Sequence, residues 1–141
     1  MDKQNIVSTM IKQHRTLQKE VGEIAEILKS DPVDVEKIVN GLEQFKTDLV
    51  EHLELENNVF YVELSEKMKA KGQNTTKTEE FIVEMKEIEE VVVAFLGKYK
   101  ETKSLEGKVD EFKKEFSEIG QVLTLRIESE ESGVYSYWGL F

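Results

Sequence analysis

The sequence predicts an all-α protein, an up-down-up-down antiparallel four-helix bundle. Three observations predict it. Apolar residues recur at three-four spacing in four segments, the pattern of a helix with one buried face. Strand-type alternation is absent and Pro32 is the only proline, so long helices face few breaks. The links between segments are short and polar, which sets successive helices antiparallel and side by side. The apolar stripes are too wide for the two-position seam of an extended coiled coil or a dimer of helical hairpins. At 141 residues, a single domain over 1–141 can bury such a core without staples.

The first helix is expected over about 2–29, with a stripe of Val7, Met10, His14, Leu17, Val21, Ile24 and Leu28. Ser30-Asp31-Pro32 breaks it and caps the next. The second is expected over about 33–71, with a stripe running Val35, Ile38, Leu42, Phe45, Leu49, His52, Glu56, Phe60 and Leu64. Gly72 stops it. A capping box from Thr76 to Glu79 opens the third, expected over about 76–100, with Phe81, Met85, Ile88, Val92, Phe95 and Tyr99 on its inner face. The fourth is expected over about 105–132, with a stripe of Leu105, Val109, Phe112, Phe116, Ile119, Leu123, Arg126, Glu130 and Val134. Gly107 and Gly120 weaken it locally. An aromatic tail, 133–141, follows. It is expected to fold over an open end of the bundle; the competing reading makes it a docking segment for a second copy or another protein.

Composition excludes several functions. A net charge of −10 repels nucleic acid and anionic membrane. The absence of cysteine rules out disulfides, thiolate metal sites and cysteine nucleophiles. The first ten residues lack the apolar run of a signal peptide, and no stretch approaches the length of a membrane span. The expectation is a soluble, cytoplasmic protein.

The chain repeats weakly at an offset of 74. His52-Leu53-Glu54-Leu55-Glu56 aligns with Arg126-Ile127-Glu128-Ser129-Glu130, and Phe60-Tyr61 with Val134-Tyr135. The same offset carries His14 to Ile88. Each half then reads as one helical hairpin.

Five polar residues fall on the core stripes: His14, His52, Glu56, Arg126 and Glu130. His52 with Glu56, and Arg126 with Glu130, lie one turn apart on one helix face. In an antiparallel bundle all five can meet at one level. An unpaired ion in a dry core costs several kcal/mol, roughly, so these groups must satisfy one another or bind something. Two imidazoles and two carboxylates suit a hard or borderline cation. The plainer reading is a hydrogen-bonded core histidine beside ordinary i,i+4 pairs, and the residues alone leave both open. Glu54, Glu128 and Glu131 are expected to face solvent.

These segments resemble the hemerythrin-like, or HHE cation-binding, family over nearly the whole chain. Ile11-Lys12-Gln13-His14-Arg15-Thr16-Leu17 looks like its opening histidine motif. The run from Glu51 to Phe60 looks like the second-helix motif, a histidine, a carboxylate four later and an aromatic. Met85-Lys86-Glu87-Ile88 looks like the third, with Ile88 at the histidine position. Leu125-Arg126-Ile127-Glu128-Ser129-Glu130-Glu131 looks like the fourth, with Arg126 at the histidine position. Members hold two non-haem irons between the helices, bridged by the two motif carboxylates, and serve oxygen binding or sensing, nitric-oxide and oxidative-stress responses, or iron handling. By this resemblance His14, His52, Glu56 and Glu130 occupy ligand positions. The two replaced histidines belong to the same iron in the family's arrangement, which argues against a di-iron centre and reversible oxygen carriage. The expectation is therefore one metal, with iron the first choice and zinc or manganese also fitting. Arg126 stands near the vacated position as a fixed positive charge.

Two other functions compete. One is a metal-free regulatory or protein-binding bundle in which Arg126 neutralises Glu56 and Glu130. The other is an oxidase- or peroxidase-like enzyme, for which no substrate or general acid is identifiable; the balance favours a non-enzyme. Dioxygen or nitric oxide would be the small-molecule partner of a metal site. Glu84 is weighed as a further ligand against a solvated edge residue. Tyr61 and Tyr135 are weighed as hydrogen-bond donors to a ligand against simple packing residues.

Overall fold

The computed structural model of the protein describes residues 5–140. The expected helix start near residue 2 and the last residue of the tail lie outside that range. Helix α1 runs Ile6–Leu28. Helix α2, Val35–Leu55, passes into a π-helical turn, Glu56–Phe60, and on into α3, Tyr61–Ala70. Backbone angles stay helical through both junctions, so these three pieces form one rod. Then come α4 (Thr76–Lys98), a short α5 (Thr102–Leu105), α6 (Val109–Ser132) and a short α7 (Val134–Tyr137). The α2–α3 rod, α1, α4 and α6 are the four expected helices, and there is no strand among the described residues. Packing runs α1 on α2, α2 on α4, α4 on α6 and α6 back on α1, which closes the bundle.

Two helix starts and one cap differ from the expectation. The second helix starts at Val35, not 33, because Asp34 is its cap and accepts from the Lys37 N–H at 3.1 Å. The third helix is capped one step earlier than a Thr76–Glu79 box would have it. Asn74 Oδ1 accepts from the Thr76 N–H at 2.9 Å, and the Thr75 hydroxyl donates to Glu79 at 3.0 Å. The fourth begins at Val109, not 105. Gly107 takes φ +72°, a left-handed conformation that ends the short α5 turn and lets α6 start afresh.

The core divides into two apolar clusters. The larger includes Leu17, Ile24, Leu42, Phe45, Phe95, Phe112 and Leu123. The smaller includes Ile6, Met10, Phe60, Tyr61, Leu64, Val134, Tyr135 and Trp138. The tail thus folds over the bundle end, with Val134, Tyr135 and Trp138 buried. Each fully buried large apolar side chain contributes roughly 1.5–3 kcal/mol. Among the described residues, no helix is long and apolar enough to cross a membrane.

Candidate metal centre

All five polar stripe residues are buried, between the two clusters. His14 sits one turn from Met10 and near Leu17 on α1, where the clusters meet. His52 closes α2, Glu56 opens the π turn, and Arg126 and Glu130 lie on α6. None exceeds 5% exposure. One donor atom from each of His14, His52, Glu56 and Glu130 lies within 4.8 Å of the others.

The two rings are held from behind. His14 Nδ1 faces a Glu131 oxygen at 2.7 Å, and His52 Nδ1 faces the Gln13 side-chain oxygen at 2.8 Å. Both partners accept, so in the neutral ring each Nδ1 carries the proton and each Nε2 presents a lone pair inward. Arg15 in turn fixes Glu131, at 2.5 Å. The inward atoms crowd one point. His14 Nε2 lies 3.2 Å from His52 Nε2 and 3.4 Å from Glu130 Oε1, and His52 Nε2 lies 3.4 Å from Glu56 Oε2. Ligand atoms bonded to one divalent ion at about 2.0–2.2 Å stand about 3.0–3.6 Å apart along the edges of the coordination polyhedron. Three neighbouring pairs of these atoms stand at that spacing, and all four lie within 4.8 Å of one another. The buried Glu130 Oε1 has no hydrogen-bond partner; Arg126 Nε approaches it at 3.4 Å, within ion-pair range but without hydrogen-bond geometry. A void of about 10 Å³ adjoins His14, His52, Arg126 and Glu130, room for about one water or ion. The donor set fits a single cation.

Arg126 occupies the other side of the layer. Nη2 donates to Glu56 Oε1 at 2.5 Å and Nη1 to the Met85 carbonyl at 3.3 Å. Burial opposes its charge, but Glu130 and Glu56 outweigh that, so the guanidinium stays ionised. Burial likewise pushes Glu56 up, yet its close contacts with His52 and Glu130 and the Arg126 charge together hold it well below the usual carboxylate range. Burial, then the Glu56 charge, drives Glu130 well above that range. Without a cation the pair therefore keeps one proton, on Glu130, and Arg126 balances Glu56. Burial also lowers His14 and leaves it neutral, against the pull of Glu131.

Both tyrosines reach the layer. Tyr61 donates to Glu130 Oε2 at 2.8 Å, and Tyr135 donates to Glu56 Oε2 at 2.5 Å. Burial raises both phenols, so each holds its proton in the metal-free layer. Two other sequence candidates do not join. Glu84 is exposed on α4; Glu89, five residues on, lines the void instead and accepts from Asn57 at 3.2 Å. Ile88 packs half-buried against the larger cluster and offers no donor. Glu131, expected to face solvent, is only 21% exposed, because it spans Arg15 and His14. The signal for Glu131 and Gln13 was their place at the level of the stripe histidines, since a buried imidazole bound through one nitrogen needs an acceptor for the other.

A family model described as the hemerythrin HHE cation binding domain matches residues 5–138. No curated protein and no solved structure matches the chain. The match spans both helical hairpins and the whole polar layer between them, and the chain belongs to the hemerythrin HHE cation-binding domain family.

Proposed function

We propose that the protein binds one metal ion, held by His14, His52, Glu56 and Glu130, and works as a metal-dependent redox or diatomic-gas sensor or in iron handling. The observation that carries this is the facing pair of Nε2 atoms at 3.2 Å. Both are acceptors with Nδ1 protonated, and two carboxylate oxygens stand 3.4 Å from them. The two facing nitrogens repel each other at that distance until a cation joins them. Two imidazoles and two carboxylates suit ferrous iron first, with zinc or manganese as substitutes. The ion would supply Lewis acidity and, as iron, one-electron chemistry with dioxygen or nitric oxide.

The chain's own residues limit the site to one ion. Arg126 neutralises Glu56 and lies 3.4 Å from Glu130, so a fixed charge already stands beside both carboxylates, and Ile88 offers an alkyl group where the family motif has a histidine. Glu131 and Gln13 orient the rings, and the apolar clusters on either side keep bulk water out. The test is elemental analysis of protein purified without chelator, then reconstituted with ferrous iron without oxygen. One metal per chain is expected. His52→Ala should lose it while circular dichroism keeps the helical signal. A ratio near two, or none after reconstitution, overturns the proposal.

The contact between Arg126 and Glu56 favours a second reading. The layer is already charge-balanced with no ion, as a structural network in a regulatory or protein-binding bundle would be. No metal uptake by the wild type, together with unfolding of an Arg126 variant, would select that reading.

A further inference from the structure

The tyrosine of the tail stands closer to the converging donors than a supporting residue needs to. Tyr135 is 3% exposed. Its hydroxyl oxygen lies 3.2 Å from His14 Nε2 and 2.5 Å from Glu56 Oε2, two of the four donor atoms of the layer. Its ring stacks on His14, with centroids 5.4 Å apart and planes 14° apart, and meets Phe60 edge-on at 5.1 Å. The position is therefore fixed from two sides. The hydroxyl has one proton and gives it to Glu56. Its oxygen then faces the His14 Nε2 lone pair with no proton left between them, the same mismatch that the two imidazoles show. Tyr61 is different. Its hydroxyl touches Glu130 Oε2 alone, on the far side from the oxygen that faces His14.

Local sequence explains why a residue beyond the fourth helix reaches the centre. Gly133 ends α6, donating to the Ser129 carbonyl at 2.9 Å. A Cβ there would lie 2.6 Å from that same oxygen. Only glycine allows the chain to fold back so tightly, and Tyr135 follows two residues later on α7.

We propose that Tyr135 is a further metal ligand, its phenolate oxygen joining His14, His52, Glu56 and Glu130 on one ion. This rests on reading the layer as a metal site. On binding, the phenol O–H bond breaks, an oxygen–metal bond forms, and the proton leaves to solvent. The metal keeps its oxidation state. A hard phenolate favours the ferric over the ferrous ion, so the site would hold oxidised iron firmly.

Ferric iron, delivered as its nitrilotriacetate chelate, tests this directly. Iron content is read by elemental analysis and coordination by visible absorption. The wild type should take up one iron and show an intense phenolate-to-iron charge-transfer band. Resonance Raman excitation in that band should show phenolate ring vibrations, a readout that needs no variant. Tyr135→Phe keeps the ring and should retain the iron but lose the band; Tyr61→Phe should retain both. Iron bound without the band, or a band unchanged in Tyr135→Phe, overturns the ligand role and leaves the metal site standing. No iron bound at all overturns both.

Discussion

Arg126 decides how the layer behaves without metal. It is a charge 5% exposed, bound to Glu56 and close to Glu130. A buried ion pair adds little net stability against an apolar equivalent, but removing one partner strands the other and costs about 3–5 kcal/mol. Arg126→Met keeps the volume and removes the charge. In chelator-treated protein, urea unfolding should show a loss of about that size. Divalent metal should restore part of it, because the ion replaces the missing positive charge beside Glu56. An unchanged midpoint in the metal-free variant would mean that Arg126 does not hold the carboxylates. The residues behind the histidines act differently. Glu131 and Gln13 fix which nitrogen of each ring carries the proton, and so where the lone pairs point.

Two local features of the helices bring the tyrosines inward. The π turn at Glu56–Phe60 inserts one extra residue into the helical repeat, so Phe60 and Tyr61 are both buried although adjacent. The break at Gly133 does the same for Tyr135. Gly133→Ala would drive its Cβ against the Ser129 carbonyl, and backbone cannot yield as a flexible side chain can. Overpacking of this kind costs about 1–3 kcal/mol. The thermal midpoint should fall, and Trp138 fluorescence should report a loosened tail, since Trp138 packs with Phe60 at 5.1 Å. A variant with wild-type melting and fluorescence would show that the turn does not need glycine. These details mark the limit of the sequence reading. The four long helices were legible because apolar spacing reports helix faces directly, and the five polar residues stood out as exceptions on those faces. Glu131 reads as solvent-facing from its own helix, since its burial depends on Arg15 and His14 of another helix and its only signal is its level beside the stripe histidines. The π turn was not legible either, because the periodicity across Phe60 and Leu64 fits an unbroken helix equally well. The α6 start was missed because Leu105 continues the stripe while Gly107 breaks the backbone.

At the scale of the whole molecule the two hairpins complete each other. Tyr61 of the first half binds Glu130 of the second, and Tyr135 of the second binds Glu56 of the first. The offset-74 repeat thus appears as a crossed pair of hydrogen bonds, although only the first half keeps its histidines. The same α1–α2 hairpin carries an electrostatic cost away from the layer. The chain has a net charge of −10, and Glu20 on α1 faces Asp48 on α2. Burial first, then the hydrogen bond with Asp48 and its charge, push the Glu20 carboxyl from 4.5 up to about 8. An acid with a raised folded-state value binds its proton more tightly in the native protein than in the unfolded chain. Its stabilising contribution is complete below pH 4.5 and is lost as pH rises through about 8. Glu20→Gln keeps a donor for Asp48 and never ionises. Above pH 8 the variant should therefore be the more stable protein, by roughly 1 kcal/mol because the pair is partly in water. Its stability should also fall less than the wild type's between pH 5 and pH 8.5. Urea unfolding of chelator-treated protein at those two pH values measures both, with the polar layer unaltered in the comparison. A wild type that gains on the variant as pH rises would show that Glu20 and Asp48 do not share a proton in the folded state.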